Sequence, residues 1–279
     1  FTGHGTRDTG HGLRKMPYET LEITQKGSVA FVNLNRPETR NAMNRQMVQD
    51  LFDYFASIRE DRAVRVVVIG ANGRIFCAGG DIKEMQAGFT EDEATQVAHV
   101  GVFDAMLTAV ATAPQVTIAK IHGSVLGGGV GLICVTDIAI AAADASLGLP
   151  EVRLGLVPAV ISPYVVARVG LARARQLMLT GARLSGAEAA AVGLVTTAVQ
   201  PDTLDEAVRE QVNAVLQASP QALAACKVLL FTVSEKPPAE TAVARVQLLH
   251  HLRTSPEGQE GMLAFMQKRP SNWVERIGD

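Results

Sequence analysis

Two glycine-rich turns hold the residues best placed to do chemistry. The first is Phe76-Cys77-Ala78-Gly79-Gly80-Asp81-Ile82-Lys83, and the second is Gly127-Gly128-Gly129. Each has an apolar run before it and helix-like sequence after it. Each can therefore present unpaired backbone N–H groups at a helix N-terminus, where the helix dipole favours negative charge. Two such donors converging on one oxygen would form an oxyanion hole for a developing enolate or tetrahedral anion. Glycine suits this task because a Cβ would obstruct the approach of backbone to ligand. A nucleotide is the wrong ligand for either turn. No Gly-x-x-x-x-Gly-Lys-[Ser/Thr] occurs, and Gly127-Gly128-Gly129-Val130-Gly131 has the wrong spacing for Gly-x-Gly-x-x-Gly.

The candidate acid–base group is Glu151. It follows the apolar segment Leu147-Gly148-Leu149-Pro150, where partial burial would raise its pKa. The structural alternatives are an N-terminal capping glutamate or an ion pair with Arg153. Asp137 reads as a carboxylate capping local N–H groups, and His122 as a turn histidine. His250 and His251 sit on a charged helical stretch without a plausible ligand partner.

Positioning these groups requires alternating strands and helices. Leu21–Thr24 and Val29–Leu34 read as a hairpin, Asn44–Ile58 as an amphipathic helix, and Val64–Ile69 as a buried strand. A helix over Glu91–Ala111, a strand over Gln115–Ile121, a short buried helix over Gly129–Val135 and a strand over Ile138–Ala141 follow. Such alternation implies βαβ units and a largely parallel sheet. After Pro158 the pattern becomes helical, over 162–169, 172–179, 185–192, 204–219, 221–233, 239–252 and 256–268. No internal repeat is visible. The reading divides the chain into a tail (1–17), an α/β core (18–200) and a C-terminal helical region (201–279).

Composition bounds the function. The 279 residues are 47% apolar and 19% charged, which is ordinary globular usage and excludes disorder for the body. A net charge of −2 gives no electrostatic footprint for nucleic acid or an anionic membrane. No continuous apolar run reaches the roughly 18 residues of a transmembrane helix. Cys77, Cys134 and Cys226 are an odd number in apolar settings, and read as buried reduced thiols of a cytosolic protein. The Gly-rich polar stretch before Tyr18 reads as a cloning remnant or extended tail, and His4 and His11 within it lack the ordered scaffold a metal site needs.

Asn35-Arg36-Pro37-Glu38-Thr39-Arg40-Asn41-Ala42-Met43-Asn44, the two glycine turns, and Pro150-Glu151-Val152-Arg153-Leu154-Gly155-Leu156-Val157-Pro158 occur in this order. Together they resemble the crotonase family, also called the enoyl-CoA hydratase/isomerase superfamily, from about Tyr18 to Trp273. The resemblance implies a spiral of repeated ββα units with C-terminal helices that build a homotrimer or a dimer of trimers. It implies that Gly80 and Gly128 supply the two oxyanion N–H donors and that Glu151 is the acid–base group. An acyl-CoA thioester would be the substrate, with no cofactor and no metal, in the cytoplasm. Substrate binding would fall to Arg40, Ala42, Ala78, Asp81, Ile82, Lys83, Gly127, Gly131, Phe265 and Lys268. Residue by residue, Lys83 could meet a phosphate or be an exposed helix lysine, and Phe265 could be core or an adenine contact, often for a neighbouring subunit.

One departure matters. Two-glutamate hydratases of the family carry a second glutamate where this chain has Gly131. The segment Ala159-Val160-Ile161-Ser162-Pro163-Tyr164 resembles members that hydrate branched, carboxyl-bearing enoyl-CoAs such as 3-methylglutaconyl-CoA, and these also lack the second glutamate. The expectation is therefore a lyase that adds water across the C2–C3 double bond of a 2-enoyl-CoA. The alternatives are a Δ3,Δ2-enoyl-CoA isomerase using Glu151 as its single base, and a non-catalytic acyl-CoA-binding subunit.

Overall fold

The structure is a computed structural model and describes residues 18–278. The readings of residues 1–17, including His4 and His11, lie outside the described residues.

Strands β1 (Leu21–Lys26) and β2 (Val29–Leu34) form the expected hairpin, with Leu21 paired to Leu34. Helix α1 (Arg45–Ile58) starts where the Asn44 side chain accepts the Met47 N–H at 3.0 Å, and it buries Met47, Leu51 and Phe55 at helical spacing. Then come β3 (Val66–Ala71), α2 (Ile82–Ala87), α3 (Glu93–Ala111) and β4 (Val116–Ile121). The chain continues through β5 (Ser124–Leu126), α4 (Gly128–Cys134), β6 (Ile138–Ala142), β7 (Ser146–Gly148) and α5 (Ser162–Thr180). Strand β8 (Arg183–Ser185), α6 (Gly186–Ala191) and β9 (Thr197–Val199) close the α/β part. Helices α7 (Leu204–Val215), α8 (Pro220–Glu235), α9 (Pro238–Thr254) and α10 (Pro256–Met266) complete it.

The large sheet runs β1-β2-β3-β4-β6-β9, and every pairing after the first hairpin is parallel. Its central strands are apolar without alternation because helices cover them: Val66, Val67, Val68 and Ile69 are all buried. The small sheet, β5-β7-β8, was not visible in the sequence. Its strands are three residues long, too short to show a period. Cys77 joins it through a parallel bridge to Val125. Successive units thus give one strand to the large sheet, one to the small sheet, and then a turn into a helix. This is the α/β spiral that the resemblance implies, followed by helices.

Three details refine the sequence reading. Helix α5 breaks at Gly170 (φ 75°), which is why the pattern divides into two segments there. Cys77 and Cys134 are buried, but Cys226 is exposed on α8 and is not a core thiol. Its apolar neighbours in sequence, Val228, Leu230 and Phe231, are themselves exposed. Helix α3 is long and apolar enough by composition to cross a membrane, yet it carries Glu93, His99 and Asp104 and packs against α1.

The C-terminal helices are tied to the core by buried polar bonds. Lys227 of α8 donates to the Gln115 carbonyl at 2.8 Å and to Asp137 Oδ2 at 2.7 Å, and Asp137 also accepts the Thr117 N–H at 2.7 Å. Asp137 is therefore structural, as its sequence setting suggests. His122 bonds the Gly73 carbonyl at 2.9 Å, which ties its turn to the segment just after β3, and His250 and His251 are exposed on α9.

Candidate active site

The small sheet brings the predicted chemistry together. Gly79 and Gly80 lie two and three residues beyond Cys77, Gly127 follows β5, and Glu151 follows β7. Cys77, β5 and β7 run parallel and side by side. The first glycine turn, the second glycine turn and the glutamate therefore emerge at the same ends of three adjacent extended segments. Crevices outside the carboxyl ends of parallel strands are where α/β sheets hold ligands.

Two glycines are required by backbone geometry. Gly79 has φ +100° and Gly127 φ +50°, in the left-handed region that L side chains avoid. These turns aim the following N–H groups out of the sheet. Among the described residues no protein acceptor takes the N–H of Gly80 or of Gly128. Gly128 opens α4 as its first residue, so its N–H is one of the unpaired donors of a helix start. Gly80 stands just ahead of α2, whose N-cap is Asp81.

Glu151 faces the second turn. A Cβ on Gly127 would sit 3.0 Å from Glu151 Oε1 and 3.8 Å from the Gly79 Cα, so carboxylate and both turns meet at one point. Glu151 Oε2 is buried without a hydrogen-bond partner. Burial pushes the carboxyl above the ordinary glutamate range, and a bond from its own backbone N–H offsets this in part. The ion pair with Arg153 does not form. Arg153 instead donates to the Thr180 carbonyl at 3.1 and 3.2 Å, at the C-terminus of α5. A half-buried carboxyl with one oxygen unpartnered, beside two free N–H donors, can move a proton next to a carbonyl whose oxygen those donors hold.

The remaining predicted residues divide into several groups. Ala78 is fixed by its N–H to the Arg40 carbonyl at 3.0 Å, and Ala42 is buried with its carbonyl taken by Arg36 at 2.6 Å. The Asp81 carboxylate is engaged by Arg36 at 3.2 Å and caps α2 through the Lys83 N–H at 3.1 Å. Arg40, Ile82 and Lys83 are exposed near the first turn. Gly131 is buried inside α4 against α5, where a Cβ would collide with Ile161 Cγ2 and lie 2.8 Å from Ile161 Cβ. Phe265 is 85% exposed, so it is not core, and Lys268 is exposed beside it. Helix α10 packs on α9, and no hydrogen bond among the described residues ties it to the glycine turns.

Sequence reasoning missed the side chains that line the turns. A Cβ on Gly128 would meet Phe103 Cζ at 3.2 Å and Met43 Sδ at 3.3 Å, and one on Gly80 would meet Met85 Sδ at 3.2 Å. Cys77 lies beneath both turns, 3.5 Å from the Gly79 N–H, and a Cβ on Gly129 would sit 3.0 Å from its Sγ. Burial pushes this thiol up to about 11, so it is a packing group. Phe103 could have been found by placing α3 over the second turn, since it projects from the same helical face as His99 and Leu107.

Comparison with known proteins agrees with this geometry. The profile of the enoyl-CoA hydratase/isomerase family matches residues 24–276. A probable enoyl-CoA hydratase, echA8, of Mycobacterium tuberculosis is 31% identical over 262 residues, covering 94% of this chain and 100% of that protein. The human mitochondrial enoyl-CoA hydratase domain-containing protein 2 is 34% identical over 257 residues, covering 88% and 85%. Among solved structures, Pseudomonas aeruginosa AtuE superposes with a TM-score of 0.90 at 40% identity, covering 92% of this chain and 100% of AtuE. An enoyl-CoA hydratase/isomerase from Marinobacter aquaeolei gives 0.88 at 37%, with 92% and 100% covered. With the family profile spanning both glycine turns and the glutamate that faces them, the chain belongs to the enoyl-CoA hydratase/isomerase family and is an enzyme of that family.

Proposed function

We propose that the enzyme adds water across the C2–C3 double bond of a 2-enoyl-CoA, with Glu151 as its single acid–base group. The observation that carries this reading is the buried, unpartnered Oε2 of the Glu151 carboxylate beside the free N–H groups of Gly80 and Gly128. Glu151 accepts a proton from water as its oxygen bonds to C3. The π electrons move through C2 onto the thioester oxygen, and the resulting enolate oxygen accepts from the two backbone donors. The enolate then re-forms its carbonyl as C2 takes a proton from Glu151. Both proton steps run on one carboxyl and the charge rests on backbone N–H groups, so the scheme calls for no metal and no redox cofactor.

The side chains against the turns, Met43, Met85, Phe103 and Cys77, are uncharged. They suit the apolar part of an acyl chain next to the thioester. Arg40, Lys83 and Lys268 are exposed cations that suit the phosphates of coenzyme A. Exposed Phe231, Val243, Val246 and Leu249 on α8 and α9 suit contact with further copies of this chain, as in a trimer.

The isomerase reading has one observation in its favour: Gly131 is sealed by Ile161, which leaves one carboxylate to serve a C2-to-C4 proton shuttle. A panel of 2-enoyl-CoA and 3-enoyl-CoA thioesters, straight, branched and carboxylated, separates the two. Loss of the enoyl thioester absorbance with a 3-hydroxyacyl-CoA product supports the hydratase. Formation of a 2-enoyl-CoA from a 3-enoyl-CoA, without hydration of the former, replaces it with the isomerase.

A further inference from the structure

We propose that Met43 is the positioning residue that holds the two backbone donors in register with each other. The inference rests on the reading of Gly80 and Gly128 as the donors to the thioester oxygen. Met43 bonds the first turn through its backbone and abuts the second through its side chain.

Its backbone grips the first turn on both sides of Gly80. The Met43 N–H donates to the Gly79 carbonyl at 2.8 Å, and the Met43 carbonyl accepts the Asp81 N–H at 2.9 Å. This is a parallel bridge centred on Gly80, and it leaves the Gly80 N–H unbonded between two made bonds. The side chain then crosses to the second turn, where Sδ would lie 3.3 Å from a Cβ on Gly128. Met43 is 7% exposed, so the thioether fills space that water does not reach. A flexible, polarizable side chain suits an irregular gap between two backbone turns.

The segment bearing Met43 is itself fixed. Arg40 and Asn41 adopt left-handed backbone, φ 58° and 51°. The buried Asn41 side chain donates to the carbonyls of Asn72 and Ile75, each at 2.8 Å, and accepts the Arg36 N–H at 2.8 Å. Met43 is thus held by one set of bonds, grips Gly80 with another, and abuts Gly128 with its sulfur. Donors act on an oxyanion only within about 2.7–3.1 Å of it, so a shift of a few tenths of an ångström between the turns weakens one of them.

The test uses Met43→Ala, Met43→Val and Met43→Leu in the full chain. None touches the backbone bonds, and leucine keeps a heavy atom at the δ position and nearly the same volume. Met43→Ala is expected to lower kcat by about 10–100-fold with KM within about threefold, because the lost alignment matters most in the transition state. Met43→Leu should restore kcat to within about threefold of the parent. The readout that a merely structural role would not move is the carbonyl stretch of crotonyl-CoA bound in a Glu151→Gln background. Binding to that background should lower the frequency, and adding Met43→Ala should shrink the shift. Should Met43→Ala not fold, Met43→Val must give the same split between kcat and KM and the same smaller shift. If folded Met43→Ala or Met43→Val keeps parental kcat and the full shift, the role of Met43 is overturned while the donor reading stands. If the Glu151→Gln background itself shows no shift on binding, the donor reading fails and the role of Met43 falls with it.

Discussion

The carboxyl ends of the small sheet and the outer faces of α8 to α10 are built on opposite terms. At the sheet, the groups that matter are backbone N–H atoms, aimed by strand register and by two left-handed glycines, and one half-buried carboxylate with an unpartnered oxygen. On the C-terminal helices the backbone is satisfied within each helix, and large apolar side chains such as Phe231 and Phe265 stand exposed. In the first region small residues are informative because they let backbone reach a ligand. In the second, large residues are informative because nothing among the described residues covers them. A substitution should therefore be severe at the sheet for adding or removing a few atoms, and mild on the helices unless it alters association.

The sharpest break in that contrast is Glu151→Gln, which keeps size and removes the titrating group. Turnover should fall at least about 10²-fold with acyl-CoA affinity unchanged, as single-turnover and binding measurements would show. Retention of a third of parental turnover would remove Glu151 from the mechanism. The parent's kcat/KM should fall on an acid limb whose midpoint lies above the ordinary glutamate range, because burial raises this pKa. The sign for stability is opposite to that of an ion-paired carboxylate. The folded state holds the proton more tightly than the unfolded chain, so stability declines as pH rises from the unfolded pKa through the folded one. Glu151→Gln should accordingly gain stability over the parent across that window and match it at lower pH, which thermal melts at several pH values would reveal.

Next in size is Gly128→Ala. Its Cβ would press on Phe103 and Met43 at 3.2 and 3.3 Å while leaving the N–H in place. Turnover should drop by about tenfold, less than the roughly 10²–10³-fold cost of deleting a donor outright. Unchanged steady-state kinetics would count against the second donor.

Gly131→Glu sharpens the comparison in a different way. The new Cβ would collide with Ile161, so the single variant should lose about 1–3 kcal/mol by denaturant titration. Gly131→Glu with Ile161→Ala should recover much of that loss. If the single variant is as stable as the parent, Ile161 moves freely and the interlock has no consequence. The smallest effect is expected on the helices. Cys226, the exposed thiol, should react with a thiol reagent well before buried Cys77 and Cys134, with little change in turnover of the labelled enzyme.

Much of this arrangement was legible from residue order, for physical reasons that differ by element. The buried strand at Val66–Ala71 and the helix at Arg45–Ile58 declare themselves through burial and period, since one is covered on both faces and the other on one. Strands β5, β7 and β8 do not, because three residues carry no period, yet these strands align the site. Gly79, Gly80, Gly127 and Gly128 stand out as glycines. The contacts of Met43 and Phe103 do not, because they depend on where separate helices and loops come to rest. Phe265 and Cys226 look like core residues by type, and only the packing of α8 to α10 shows that they face outward.

Glu275 and Gly278 return to the β1–β2 hairpin. Glu275 accepts the Ser28 N–H at 3.1 Å and the Ser28 hydroxyl at 2.6 Å, and Lys26 donates to the Gly278 carbonyl at 2.9 Å. Arg65, at the foot of the next strand, donates to the carbonyls of Trp273, Leu216 and Ala218. This clasp gives the protein a timetable. During synthesis the hairpin emerges early, but Glu275, which closes over its turn at Ser28, follows only 247 residues later. Until then the turn and the Arg65 guanidinium must wait, because their partners lie 247 and 208 residues further along the chain. Long-range closure of this kind slows folding and lengthens the time that incomplete chains stay open to misassembly.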